Sequence, residues 1–421
     1  MASPQQHAIR VLEIPRIGAV RMALAMTLVL TWAGTSAAQG PGYNVIFNFT
    51  GGSDGGNPMA ALTFDKAGHL YGTATHGTAN GYGTIFRLRK IASGWAFTPL
   101  YRFLGGNDGG FPMDAVTVGT DGSLYGNSPT PNGGDFGAVF NAKPGVRPSP
   151  SIFGGWTEYV LHNFTGHSND GAAPLGPVVF DEKGNLYGTT SSDGVCGDGT
   201  VYKLTPSGNS WILSLLHTFC SAGDGQHPQS GVILDKPGNL YGTTYEGGHF
   251  GMGTVFELSS SGAGWSEKIL YTFSGVADGG LPSGGLVFDP SGNLYGTTST
   301  GGTNNGGTVF MLTPSNGSWT LTTLYDFTAK NLDGRSGNLV LDSEGNLYGT
   351  REYEGQYGEG AAFKLTHSGV GWTYSSLHDF TGGVDGGNPM DGLIFDASGN
   401  LYGTASQGGS NSYGVAYVIR P

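Results

Sequence analysis

The chain has 421 residues, 78 of them glycine, and carries 31 acidic against 19 basic side chains, a formal net charge of −12 at pH 7. Glycine far above its usual share of about 7%, without a Gly-X-Y period, excludes collagen and reports dense turns. The acidic balance disfavours nucleic acid and anionic lipid as partners, while aromatic residues, 12% of the chain, supply packing volume that glycine lacks.

At the N-terminus, Arg10, Arg16 and Arg21 precede an apolar stretch over 22–33 and the small residues Ser36-Ala37-Ala38, the pattern of an export signal cleaved before Gln39. The apolar run is shorter than the roughly 20 residues that a membrane span requires. Residues 1–38 are therefore read as a signal peptide and 39–421 as one mature domain, secreted or periplasmic and monomeric, with no stable membrane span. Cleavage leaves 16 basic against 30 acidic side chains, a net charge of −14.

Beyond the signal, Leu-Tyr-Gly recurs seven times, with its tyrosine at 71, 125, 187, 241, 295, 348 and 402 and spacings of 54, 62, 54, 54, 53 and 54 residues. A period near fifty, filled with short alternating patterns and glycine turns, predicts a blade-per-repeat propeller. The plan is clearest over 281–327. Gly285 to Phe288 forms a first strand and Asn293 to Thr298 a second; Gly307 to Leu312 is a third and Trp319 to Phe327 a fourth, with Gly, Asn, Asp and Pro turns between them. The third strand recurs seven times, and the fourth carries Trp95, Trp156, Trp211, Trp265, Trp319 and Trp372. Its seventh copy is Tyr43 to Phe49 at the start of the mature chain, whereas the chain ends on a third strand, Gly414 to Ile419. These two segments are expected to pair, closing an all-β, seven-bladed propeller of four antiparallel strands per blade and removing two exposed edges.

The repeated Gly-Asn-Leu-Tyr-Gly-Thr-Thr, Gly-Thr-Val-Phe and Asp-Gly-Gly-Xaa-Pro elements resemble those of the bacterial GloVer tandem repeat proteins, also called choice-of-anchor tandem repeat GloVer-containing proteins. The resemblance covers 43–419. It implies an exported protein, and it brings no activity with it. No anchor is evident after Ile419.

Cys196 and Cys220 fall in one repeat, 24 residues apart, and are read as a local disulfide in an oxidising compartment, with two buried thiols as the alternative. Each blade-to-blade connection contains Asp-Gly, at Asp54, Asp108, Asp170, Asp224, Asp278, Asp333 and Asp385. Seven carboxylates on one face could hold a hard cation such as Ca²⁺, or each could accept backbone N–H groups in its own turn. No cofactor is firmly implied. A second set, Asp65, Asp181, Asp235, Asp289, Asp342 and Asp396, ends the first strand on the opposite face and reads as an Asx turn. The Leu-Tyr-Gly tyrosines read as core, with hydroxyl partners in backbone or in an adjacent blade.

Departures from the repeat are better clues to function than the repeat itself. Arg351 replaces a threonine and Arg335 a glycine in blade six, beside Glu352, Tyr353, Glu354 and Glu359, where the arginines could clamp a carboxylate or neutralise the glutamates. Tyr245 and His249 mark the corresponding loop of blade four, and Arg335, Arg351, Glu352, Tyr353, Tyr245 and His249 form the candidate ligand-binding set. His76, His167, His227 and His249 are candidate bases, whereas His162, His217 and His378 share a repeated fourth-strand position and read as structural. Catalytic residues cannot be assigned, because no nucleophile elbow, phosphate loop or metalloprotease helix is present. The expected function is an extracellular binding module for a glycan or protein. A polysaccharide-directed lyase or hydrolase on the loop-rich face is one alternative, and a structural cell-envelope protein another.

Overall fold

The computed structural model describes residues 42–77, 81–106, 109–129, 136–145, 155–167, 170–221, 223–262, 264–328, 335–369 and 371–421. The expected signal peptide over 1–38, Asp108 and Asp333 lie outside the described residues. Seven four-stranded antiparallel sheets follow one another around a ring. Their first strands, which number the blades 1 to 7, are Thr63–Phe64, Thr117–Val118, Ala172–Phe180, Ile233–Leu234, Val287–Phe288, Val340–Leu341 and Ile394–Phe395.

Blade 5 shows why these residues form this sheet. Its second strand, Leu294–Thr297, and the first residues of its third strand, Thr308–Ser315, are buried on both faces, because each blade is packed between two others. The glycine of Leu-Tyr-Gly is fixed by close approach: a Cβ on Gly296 would lie 2.5 Å from the ring of Phe310, and Gly72, Gly126, Gly242 and Gly349 face their own phenylalanines at 2.6–2.8 Å. A bulge recurs where the third strand meets the fourth, between Val309 and Phe310 here and at the matching place in the other blades, adding twist to the outer strand. Each fourth strand then runs into a buried phenylalanine; Phe327 donates its N–H to the Gly307 carbonyl at 3.0 Å.

The first strand is shorter than the sequence pattern suggests, Val287–Phe288 rather than Gly285 to Phe288. Gly285 donates its N–H to Asn338 Oδ1 at 2.5 Å in the next blade, so this backbone is committed to its neighbour rather than to a ladder.

Ring closure is as expected. Asn44–Asn48 pairs antiparallel with Val415–Ile419, and the last sheet runs from this strand inward to Ile394–Phe395. Tyr43 and Phe49 flank the closing strand and are buried; Tyr43 stacks on His378 with ring centroids 3.7 Å apart and donates its hydroxyl to the Asp385 carbonyl. Cys196 and Cys220 form a disulfide. Among the described residues no helix is long and apolar enough to cross a membrane.

Candidate functional site

First strands lie innermost, so the residues leading into them converge on the ring axis. Lead-ins from all seven blades line one cavity of about 60 Å³. Met59, Met113 and Met390 give it an apolar side, and Asp114, Asp391 and Arg335 bring charge from blades 2, 7 and 6. Asp391 is held by the Gly392 and Ala61 N–H groups at 2.6 and 2.9 Å. Asp114 is less well satisfied, since its Oδ2 is buried with no hydrogen-bond partner among the described residues. The residue as a whole is only part-buried because it faces the cavity, but protein encloses the carboxyl itself, and that enclosure governs its titration. Burial, reinforced by the charge of Asp391, pushes Asp114 up to about 7, against weaker opposition from the Gly176 N–H and Arg335. Asp114 and Asp391 were missed as candidates. Their signal was Pro-Met-Asp at 112–114 and 389–391, in two of the seven lead-ins.

Arg335 is exposed at this mouth, and its backbone exchanges hydrogen bonds with Glu352: the Arg335 N–H donates to Oε2 and the Glu352 N–H to the Arg335 carbonyl, both at 3.1 Å. Arg351 lies elsewhere, wholly buried over the ring of Phe327 at 4.8 Å, where its guanidinium donates to Ser336 Oγ at 2.8 Å and to the Gly306 carbonyl. Glu354, 4.0 Å from Arg351 Nε, accepts the Thr328 N–H and hydroxyl at 3.3 and 3.1 Å. Burial lowers Arg351 to about 10 and raises Glu354, with mutual attraction partly compensating both. Glu354 is thus placed as the counter-charge of Arg351, while Arg335 lines the axial cavity. Tyr353 is half-buried in the same loop. On blade 4, Tyr245 is half-buried and His249 exposed, its ring edge-on to Phe250 at 4.7 Å.

The described Asp-Gly aspartates each serve their own turn. Asp54, Asp170, Asp278 and Asp385 accept the N–H of Thr50, Thr165, Ser274 and Thr381 at 2.8–3.1 Å, and Asp224 accepts that of Cys220 at 3.1 Å. The fourth-strand histidines complete three of these turns: His162 meets Asp170 at 2.9 Å, His378 meets Asp385 at 3.1 Å, and His217 lies 3.3 Å from Asp224.

On the opposite face the second aspartate set forms the expected Asx turns. Asp289 Oδ1 accepts the Ser291 and Asn293 N–H groups, and Oδ2 accepts Asn293 Nδ2 and the Tyr295 hydroxyl, at 2.7–3.1 Å. In six blades the Leu-Tyr-Gly hydroxyl thus finds a partner in the aspartate of its own blade, not in backbone or an adjacent blade, whereas blade 2 has Gly119 at the aspartate position. The reach is short, because the aspartate lies diagonally across the first hairpin from the tyrosine, two places beyond the residue the tyrosine pairs with. Burial acts to raise Asp65, Asp181, Asp289, Asp342 and Asp396, but the donated hydrogen bonds outweigh it and all five lie below the ordinary aspartate value. Clefts of about 440 and 380 Å³ open between blades 3 and 4 and between blades 7 and 1, walled by Trp265 and Trp95. Their aspartates are already occupied by the turns, leaving Glu182 and lysines to meet a ligand.

The Gloeobacter/Verrucomicrobia repeat matches residues 35–232 and 179–417, together nearly the whole chain. The chain belongs to this repeat family. No curated protein matches the sequence. Among solved structures, this GloVer-repeat chain is similar to the extracellular domain of a proposed hybrid two-component system from B. thetaiotaomicron, at 10% identity over 90% of the chain and a TM-score of 0.57. It spans only 40% of that ectodomain. A proposed 6-phosphogluconolactonase from Bacteroides uniformis is similar at 17% identity and a TM-score of 0.51, with 82% of this chain and 89% of that one covered. At such identities the likeness is one of fold.

Proposed function

We propose that the GloVer-repeat chain is an exported, carbohydrate-directed propeller whose axial mouth takes an acidic sugar, with Arg335 pairing its carboxylate and Asp114 able to transfer a proton. The observation that carries this reading is the convergence, in a cavity lined by all seven blades, of an exposed guanidinium and an under-satisfied carboxyl titrating near neutrality. A carboxyl with a pKa near 7 is matched to general acid–base work at neutral pH. Guanidinium geometry suits a carboxylate. A cavity of about 60 Å³ admits a substituent rather than a sugar ring, so the ring would rest on the mouth against the methionines. In a lyase, Asp114 as carboxylate would abstract the proton α to the uronate carboxyl whose developing charge Arg335 stabilises. Export is supported by the signal pattern, by the disulfide and by the absence of free cysteine among the described residues. It also agrees with the extracellular placement of the B. thetaiotaomicron domain.

The test is retention of uronate-containing and neutral polysaccharides on the immobilised protein, followed by product analysis of each retained polymer. Retention of uronates that is weakened at least about tenfold by Arg335→Ala, with unsaturated products lost in Asp114→Asn, is the expected result. Retention without cleavage reduces the protein to a binding module. If no acidic glycan is retained, the reading is wrong.

A further inference from the structure

At the outer edge of the junction between blades 3 and 4, on the face of the Asp-Gly turns, lies a cluster that the axial site does not use. His217 is on the fourth strand of blade 3, Asp224 in the connection that follows, and Glu267 on the fourth strand of blade 4. One ligand atom from each falls within 4.8 Å of the other two. We infer that this junction binds one divalent transition cation, zinc being the simplest, through His217 Nε2, Asp224 Oδ2 and Glu267 Oε1.

The argument rests on a control within the molecule. His162 with Asp170 and His378 with Asp385 occupy the same positions in other blades, and there the imidazole makes one close contact, of 2.9 or 3.1 Å. In blade 3, Nε2 instead stands back, 3.3 Å from both Asp224 oxygens and 3.6 Å from Glu267 Oε1. The added residue makes the difference. Two places after the blade tryptophan, blade 4 has Glu267 where blade 3 has Leu213 and blade 7 has Tyr43, which stacks on His378.

Glu267 Oε1 is buried and has no hydrogen-bond partner among the described residues, although its side chain comes from another blade and its carboxyl lies within hydrogen-bonding reach of Asp224. An unmet acceptor aimed at a histidine and a second carboxylate is what a cation would satisfy. The separations from the histidine fit: ligands bound at about 2.1 Å to a tetrahedral zinc stand roughly 3.4 Å apart, against 3.3 and 3.6 Å from His217 Nε2, with the two carboxylate oxygens within 4.8 Å of one another. An imidazole nitrogen favours zinc or its transition-metal neighbours over Ca²⁺ or Mg²⁺. Two carboxylates balance a divalent charge.

Asp224 is also held by the N–H groups of Cys220 and Gly225 at 3.1 and 2.9 Å, and Cys220 is disulfide-bonded to Cys196, so one ligand is fixed before any ion arrives. The cation would tie the outer strand of blade 4 to the turn of blade 3.

The test uses the full secreted chain, stripped with a chelator and titrated calorimetrically with zinc, with bound metal measured after desalting. One zinc per chain, and a melting temperature raised by zinc, are expected. Glu267→Gln should weaken binding at least about tenfold, and Glu267→Leu, which copies the residue of blade 3, should retain no zinc and show no zinc-dependent melting shift while still folding. His162→Ala and His378→Ala should leave the single zinc in place. A wild-type chain that retains no zinc, or a Glu267→Leu variant that binds it as the wild type does, overturns the assignment.

Discussion

At the entrance to blade 5, Asp278 accepts the Ser274 amide and hydroxyl from within its own turn. At the entrance to blade 6, Glu354 reaches the corresponding groups of Thr328 from a different loop, with Arg351 buried beside it. The hydrogen-bonded outcome at the end of the preceding strand is the same, but in blade 6 it is met by a longer carboxylate from another loop, beside a buried cation. The comparison teaches that the same strand end can be satisfied from within its turn or from a distant loop, and that the second arrangement carries the desolvation of two charges.

The largest test removes that support. Arg351→Ala leaves Glu354 buried without its counter-charge and is expected to destabilise the ring by about 3–5 kcal/mol in denaturant unfolding; a loss below about 1 kcal/mol would mean that the two entrances are energetically alike. Asp278→Ala opens the ordinary turn and should cost about 1.5–3 kcal/mol, because its hydrogen bonds are charge-assisted but only part-buried. Equal losses for the two variants would erase the distinction drawn here.

Acid offers a third, more distributed probe. The Asx-turn carboxylates are depressed in the folded chain, so their stabilisation is fully present above the unfolded aspartate value of about 3.9 and is lost as pH falls through the lower folded values. Glu354, raised by burial, has the opposite sign: its contribution is present below the unfolded glutamate value and is lost as pH rises through the folded one. Melting temperature should therefore decline below about pH 4, with Glu354→Gln leaving that decline intact; a decline that disappears in Glu354→Gln would place the acid sensitivity at blade 6 instead of in the repeated turns. The smallest effect concerns interchangeable copies. Tyr417 occupies a place where five blades have phenylalanine, and its buried hydroxyl has no hydrogen-bond partner among the described residues, so Tyr417→Phe should be neutral or stabilising by up to about 1 kcal/mol by the same unfolding measurement.

Architecture was legible because every blade states it again: tyrosine spacing, third-strand pattern and the displaced fourth strand each count to seven. Physical partners were less legible. The hairpin that joins the Leu-Tyr-Gly hydroxyl to its aspartate in six blades is local, yet the sequence alone did not reveal that the two side chains share one side of it. Asp114 and Asp391 looked like variation in a lead-in, since only the closed ring brings blades 2, 6 and 7 to one axis. Glu267 sits in an alternating outer strand where an acidic residue ordinarily faces water, and its significance depends on a histidine in the preceding blade.

The clasp of the ring also orders events in time. Ser410 donates its N–H to Asn48 Oδ1 across 362 positions of chain, so the closing strand finds its partner only after the six intervening sheets have been made. Joining ends so distant costs about 5 kcal/mol in chain entropy, recovered only when six sheets already hold the two edges near each other. A nascent chain would therefore carry this strand unpaired until residues 415–419 arrive, making the last blade the natural checkpoint between an open and a finished ring.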